Sequence, residues 1–304
     1  MKRAYKISTY KSMIKSEQQM LPFIIKFKHL KKIISLLIVF LFMVSCSTVP
    51  ITGRKRINLV SDAQILPASF AQYKGFLEEN KLSSDIAKTR EVQEVGMKIS
   101  RAVDRFMRAN GMVSEANNYR WEFNLIEDKT VNAWCMPGGK VVFYTGILSI
   151  AANTDGIAGI MGHEVAHAFA KHGQERMSQG MLQQAGGLAV ALGTMNKDPK
   201  TQQIWNQAFG IGSTLGMLKF SRTHETEADK LGMVFMIMAG YQPKEAVNVW
   251  IRMSQRAGSS QSPPEFLSTH PSNQSRIKVL NDYIPTAMAY AKKFNEQAAI
   301  QEKQ

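Results

Sequence analysis

Cysteine is nearly missing from this chain: 304 residues contain two, Cys46 and Cys135. A disulfide framework is therefore excluded. No uninterrupted apolar run reaches the roughly 20 residues a membrane-spanning helix needs; the run from Ile33 to Val44 has twelve. No period of 20 to 50 residues recurs, which removes solenoids and propellers. The net charge of +14 suggests a nucleic-acid binder until it is located. Residues 1–45 hold nine Lys or Arg against one acidic residue, leaving +6 for the rest and no basic stripe of the kind nucleic acid requires.

The charge near the N-terminus has another use. Lys26, Lys28, Lys31 and Lys32 precede the apolar run, which ends Met43-Val44-Ser45-Cys46. This order reads as a lipoprotein signal peptide over residues 1–45, with Cys46 as the lipidation (palmitate) site, or alternatively as an uncleaved signal anchor. Translation starting at Met20 would give a leader of more usual length. No acidic retention signal follows Cys46, so the expected location is the cell envelope, lipid-anchored in the outer membrane and facing the periplasm. Residues 46–60 are then a tether, 61–298 the folded domain, and 299–304 a tail.

Inside the domain, His163-Glu164-Val165-Ala166-His167 spells HExxH. On a helix, His163 and His167 share a face and can bind one metal ion, with Glu164 beside it as a base for water. Asp155 can cap this helix. Its apolar positions cover most of its surface, so it is expected to be buried, where unpaired polar groups cost several kcal/mol. The bland alternative is two hydrogen-bonded core histidines and a chance glutamate.

A catalytic zinc ion needs a third protein ligand and an open position. The extended HExxHxxGxxH pattern is absent, because Ala170 and Gly173 stand where Gly and His would be. The run Ser221 to Asp229 opens a second expected helix, continuing to Gly240. There Glu225 and Asp229 lie four apart, so Glu225 can bind the metal while Asp229 accepts a hydrogen bond from a ligating imidazole. Glu227 falls about 200° around the helix from Glu225 and reads as a solvated charge. His172 and His224 match no ligand spacing and read as exposed or structural.

These segments, with Asn132 to Gly139, Thr269-His270-Pro271 and Arg276-Ile277, carry a resemblance. The chain resembles the zinc endopeptidase family of the CAAX prenyl proteases and the heat-shock protease HtpX (metallopeptidase family 48), nearest in layout to its periplasmic lipoprotein members. The resemblance covers about residues 55 to 285. It implies a gluzincin-type zinc peptidase domain, one Zn2+ per chain, and Glu225 as third ligand. It also implies that Asn132, Ala133 and Trp134 bind an extended substrate along a hairpin formed with Val141 to Tyr144. Sequence alone gives the hairpin only.

His270 precedes a proline and so sits in an extended loop. It is a candidate hydrogen-bond donor to the oxyanion or a fourth zinc ligand, and Arg276 is a candidate for the same developing charge. Loop anchoring is the plain alternative for both. Helices are expected at Asp62–Asn80, with Pro67 delaying or kinking it, and at Arg90–Asn110, Pro243–Arg256 and Gln274 to about Glu296. A strand is expected at Tyr119–Ile126. The glycine-rich runs 185–193 and 210–216 would let two helices pack closely, and Met233, Met236 and Met238 read as core fillers. The expected fold is mainly α with a small β-sheet (α+β). The expected function is a zinc endopeptidase for misfolded or misassembled envelope proteins. Two alternatives remain: a non-catalytic zinc-stapled assembly factor, and a zinc hydrolase acting on another bond.

Overall fold

The computed structural model describes residues 46–259, 265–270 and 274–301. The expected leader, residues 1–45, and residues 302–304 of the expected tail lie outside them. Thr48–Gln304 forms one compact unit and Met1–Ser47 another; everything below belongs to the first, apart from the start of strand β1 (Cys46–Thr48).

The described chain is mainly helical with small sheets. Helix α1 (Asp62–Glu79) begins where the Gln64 side chain accepts a hydrogen bond from the Ser61 N–H. Pro67 lies inside it and does not delay its start. Helix α2 (Ile86–Ala109) is capped by Asp85, which accepts from the Lys88 N–H. Val92, Val95, Ile99, Val103 and Phe106 give α2 one apolar face, and all are buried. After the short α3 (Val113–Asn117) come β3 (Glu122–Ile126), β4 (Ala133–Met136) and β5 (Lys140–Tyr144). Their order is β3-β5-β4, with β3 parallel and β4 antiparallel to β5. The expected hairpin is present, and β4 is an edge strand.

Residues 46–60 are not a tether. Strand β2 (Lys55–Ile57) follows a turn in which the Val49 N–H donates to Arg54 O. Val49 is fully buried in the main core, and the Arg56 guanidinium, also buried, donates to Ala170 O. The polar run 53–56 pointed to solvent; its two arginines fold inward because buried acceptors await them.

Following α4 (Leu148–Ala151), two helices build the centre: α5 (Thr154–Phe169), carrying HExxH, and α7 (Pro199–Met238), carrying Glu225. The α5 cap is Asn153, which accepts from the Gly156 N–H, whereas Asp155 accepts from the Gln242 N–H. Helix α7 does not start at Ser221. It starts 22 residues earlier, where Asp198 accepts from the Thr201 N–H and Pro199 occupies the first turn. Glycines 210, 212 and 216 each cost only about 1 kcal/mol of helix propensity, too little to break it. Helix α6 (His172–Thr194) packs back on α7, and Gly186 leaves room for the Phe209 ring, which would stand 2.8 Å from an added Cβ. The first glycine-rich run thus allows close packing at Gly186, whereas glycines 210, 212 and 216 of the second have nothing within 4 Å of an added Cβ. Helices α8 (Pro243–Ser259), α9 (Glu265–Thr269) and α10 (Gln274–Gln301) complete the unit. Met233, Met236 and Met238 are buried. Among the described residues, no helix is long and apolar enough to cross a membrane.

Helices α5 and α7 touch backbone to backbone at Gly162 and Gly232. A Cβ on Gly162 would stand 2.6 Å from Gly232 O, and one on Gly232 2.7 Å from His163 N. Gly232→Ala should therefore destabilise by about 1–3 kcal/mol, as overpacking does, and lower metal affinity, because the wedge separates His163 from Glu225. Gly212→Ala on the same helix meets nothing within 4 Å and should hold or raise the melting temperature. Thermal unfolding with and without zinc checks both.

Candidate metal centre

Four side chains converge: His163, His167, Glu225 and His270, with one donor atom from each within 4.8 Å of all the others. His163 Nε2 lies 3.1 Å from His167 Nε2, and each lies 3.5 Å from a Glu225 oxygen. His270 Nδ1 is 3.2 Å from His163 Nε2 and 2.9 Å from Glu225 Oε2. Tetrahedral donors at zinc bond lengths stand about 3.3 Å apart, so the spacing suits that ion.

Protonation argues the same way. His163 Nδ1 lies 3.0 Å from Asp229 Oδ1 and His167 Nδ1 2.8 Å from His172 Nδ1. With each Nδ1 hydrogen used there, two Nε2 lone pairs face each other and need a proton or a cation between them. Glu225 Oε1 is buried and has no hydrogen-bond partner, an orphan that a cation would satisfy. The residues therefore fit a divalent metal.

Burial would raise the Glu225 carboxyl, but His167, with His163 and His270, holds it far below the carboxylate range. Burial pushes His167 well below the usual imidazole value, against the pull of Glu225, which favours the neutral form a metal requires. At His163 the burial effect is overcome by Asp229 and Glu225, and the value rises.

Glu164 is 2% exposed. Its Oε1 has no hydrogen-bond partner among the described residues and lies 3.6 Å from His270 Nε2. Burial, and next among the raising effects Glu225, push its carboxyl up to about 7, although His270, Arg276 and the Cys135 N–H favour the charged form. The sign follows from the raised value. In metal-free protein, the stability this group contributes is full below its ordinary 4.5 and is lost as pH rises to about 7. Metal-free Glu164→Gln should be more stable than wild type at pH 8, on the order of 2 kcal/mol, and no more stable at pH 4. Denaturant titrations at the two pH values check this.

Asp229 stands where spacing put it. Arg276 meets the carboxylates of the site: its Nη2 donates to Asp229 Oδ1 (2.8 Å) and lies 3.1 Å from Glu225 Oε2, while its Nε also bonds Asp229. It stacks over Trp250 at 3.6 Å. The guanidinium thus braces two carboxylates from behind and positions ligands.

The hairpin residues divide their roles. Asn132 closes the loop, its Nδ2 donating to Glu265 and its Oδ1 accepting from the Ala133 N–H. The Trp134 indole donates to the Tyr144 hydroxyl and packs edge-on against Phe76. Tyr144 N–H donates to Asn132 O across the ladder, so the alternation turns the Ala133 and Cys135 backbone groups away from β5. That edge borders a cleft of about 260 Å³ that also includes Glu164, His167, His172 and His270.

Three residues read as remote lie in the same neighbourhood. Glu227 is buried, not solvated: it accepts from His172 Nε2 (2.9 Å), Arg54 Nε (2.7 Å) and the Thr52 hydroxyl. His172 and His224 are buried too, with rings stacked at 4.0 Å. The 200° rotation keeps Glu227 off the metal but aims it at His172, a contact that spacing within one helix does not reveal.

Comparison with known proteins agrees with this geometry. The model of peptidase family M48 matches residues 93–284. The mitochondrial metalloendopeptidase OMA1 of Schizosaccharomyces pombe is 31% identical over 79% of this chain and 66% of its own length. Its counterpart from Saccharomyces cerevisiae is 32% identical over 78% and 69%. The β-barrel assembly-enhancing protease of Escherichia coli is 25% identical over 78% and 47%. The chain thus spans between about half and two thirds of the length of these relatives. Both OMA1 relatives are mitochondrial by name; this overturns the expectation of a lipid-anchored outer-membrane protein facing the periplasm, which rested on the order of residues near the N-terminus alone. The match over most of the folded unit, on top of the converging histidines and glutamate, means that the chain belongs to peptidase family M48, a family of metalloendopeptidases.

Proposed function

We propose that the chain is a zinc endopeptidase acting on extended segments of unfolded or misassembled proteins. The observation that carries this reading is one buried carboxylate, Glu164, with an oxygen that has no hydrogen-bond partner among the described residues, beside the metal donors and along the edge of strand β4. Two imidazoles and one carboxylate form a donor set common to catalytic zinc sites. Zinc bound there would supply Lewis acidity, polarising a carbonyl and making water acidic near neutral pH.

The protein's own groups do the rest. The β4 edge turns the backbone carbonyls of Ala133 and Cys135 outward, where a peptide added as a further strand can donate to them, while their N–H groups meet Asn132 and Glu164; such pairing favours extended substrates over folded ones. Glu164 takes a proton from the attacking water and returns it to the leaving amine, and the burial that raises its carboxyl in the metal-free protein makes it a stronger base than an exposed carboxylate. His270 Nε2, 3.6 Å from Glu164, is the nearby group for negative charge developing on the carbonyl oxygen, a donor when both ring nitrogens are protonated, since Nδ1 meets the Glu225 carboxylate. The name of the Escherichia coli relative, which places that protein in β-barrel assembly, supports a misassembled class of substrate.

Zinc-loaded protein should cleave unfolded casein and spare a stably folded globular protein; cleavage of neither removes the reading. The His270 Nδ1 position, within ligating distance of the same point, favours a second reading: a closed four-donor site in a non-catalytic, zinc-stapled assembly factor. One tightly held zinc with no cleavage of any peptide library would establish that alternative.

A further inference from the structure

His163 has its carboxylate partner, Asp229. His167 has none directly: its Nδ1 faces another imidazole, His172 Nδ1, at 2.8 Å. Two ring nitrogens at that distance form a hydrogen bond only if one carries a proton and the other a lone pair. The next contact decides which. His172 Nε2 lies 2.9 Å from Glu227 Oε2, and a carboxylate only accepts. His172 therefore carries its hydrogen on Nε2 and presents a bare Nδ1. His167 must then donate from its Nδ1, which leaves its Nε2 lone pair aimed at the metal position. The direction of the whole chain is fixed from its far end.

That far end is held by a part of the protein remote from HExxH. Arg54 Nε donates to Glu227 at 2.7 Å, and Thr52 donates its hydroxyl to the other oxygen. The two Arg54 Nη atoms grip Glu175 at 3.0 and 2.8 Å, and Glu175 also meets His224 Nε2 at 3.1 Å. His224 stacks on His172 and holds the ring plane. All of these carboxylates and imidazoles are buried, so water does not substitute for a lost partner. This arrangement rests on the metal reading above.

We propose that His172 and Glu227, anchored by Arg54, are positioning residues that set the hydrogen-bonding direction of His167, so that docking of residues 48–57 completes the metal centre. The segment expected to be a tether thus acts as a clamp: a chain in which it is displaced or cut away would keep His163, His167 and Glu225 yet hold metal less tightly.

The test measures zinc affinity in the full chain by competition with a chromogenic chelator, together with the visible absorption of the cobalt-substituted protein. His172→Phe keeps the ring and removes the acceptor. It should weaken zinc ten- to hundredfold, the range for loss of an outer hydrogen-bond partner, and alter the cobalt spectrum. His172→Asn places an amide oxygen near the lost Nδ1 and should restore affinity to within about threefold of wild type, on the same acceptor argument. Arg54→Met, outside the helices, should weaken zinc at least threefold and serves if the His172 variants do not fold. Wild-type affinity in both His172→Phe and Arg54→Met overturns the proposal, as does equal loss in the Phe and Asn variants, which would mark a packing role. Wild-type protein that binds no zinc would instead sink the metal reading itself.

Discussion

Glu164→Gln should lower kcat by about 10²–10⁴-fold, the usual worth of a positioned general base, with zinc content unchanged. Glutamine keeps the shape and can still accept from the Cys135 N–H, but it cannot take a proton. Glu164 contributes no ligand to the four-donor cluster, so its loss leaves the metal donors alone. Cleavage of unfolded casein and zinc content measured on the same preparation separate base from ligand. In the wild type, activity should rise with pH as Glu164 ionises, below the value of about 7 that burial gives the metal-free protein, because a bound cation favours the charged carboxylate and only that form accepts the proton. Wild-type cleavage by the glutamine variant would remove Glu164 from the chemistry. A rate that falls as pH rises from 6 to 8 would contradict the assignment of base.

Removing the third donor should act at an earlier step. Glu225→Ala leaves three imidazoles, His163, His167 and His270, and takes away the carboxylate of the four-donor cluster. Zinc affinity should fall by more than the ten- to hundredfold that outer partners are worth, and cleavage should vanish with it. The variant also strands charge. Arg276, buried, would keep its bonds to Asp229 but lose Glu225, so the metal-free form should be destabilised as well, by about 1–3 kcal/mol for a lost buried partner. Chelation of the wild type should give the same inactivity without the permanent loss of stability, and added zinc should restore it. Retained zinc in Glu225→Ala would move the third ligand elsewhere.

The donors were legible in the sequence because helix periodicity is a local rule. Four-residue spacing placed His163 with His167 and Glu225 with Asp229, and both pairs share a face in the folded unit. Strand alternation bounded by Pro137-Gly138-Gly139 likewise gave the hairpin. What stayed hidden depends on contacts between distant segments. No periodic pattern says that Arg54 meets Glu227 or that Arg276 turns to Asp229 rather than to substrate. Gly162 and Gly232 read as ordinary helix residues until the two helices cross. The run 210–216 and the run from Ser221 read as separate segments, yet one helix capped by Asp198 carries both, because glycines 210, 212 and 216 cost too little propensity to end it. The location failed differently. A leader is a targeting signal, and the same basic and apolar order serves more than one membrane system.

The central claim is a single metal ion held by His163, His167 and Glu225, and X-ray absorption at the zinc edge of the reconstituted chain tests it most directly. The account predicts one zinc per chain with a first shell of nitrogen and oxygen only at about 2.0–2.1 Å, a second imidazole signature that drops in His167→Ala, and no sulfur. A sulfur scatterer at about 2.3 Å, which would implicate Cys135 or Cys46, or an unchanged spectrum in His167→Ala, would contradict it.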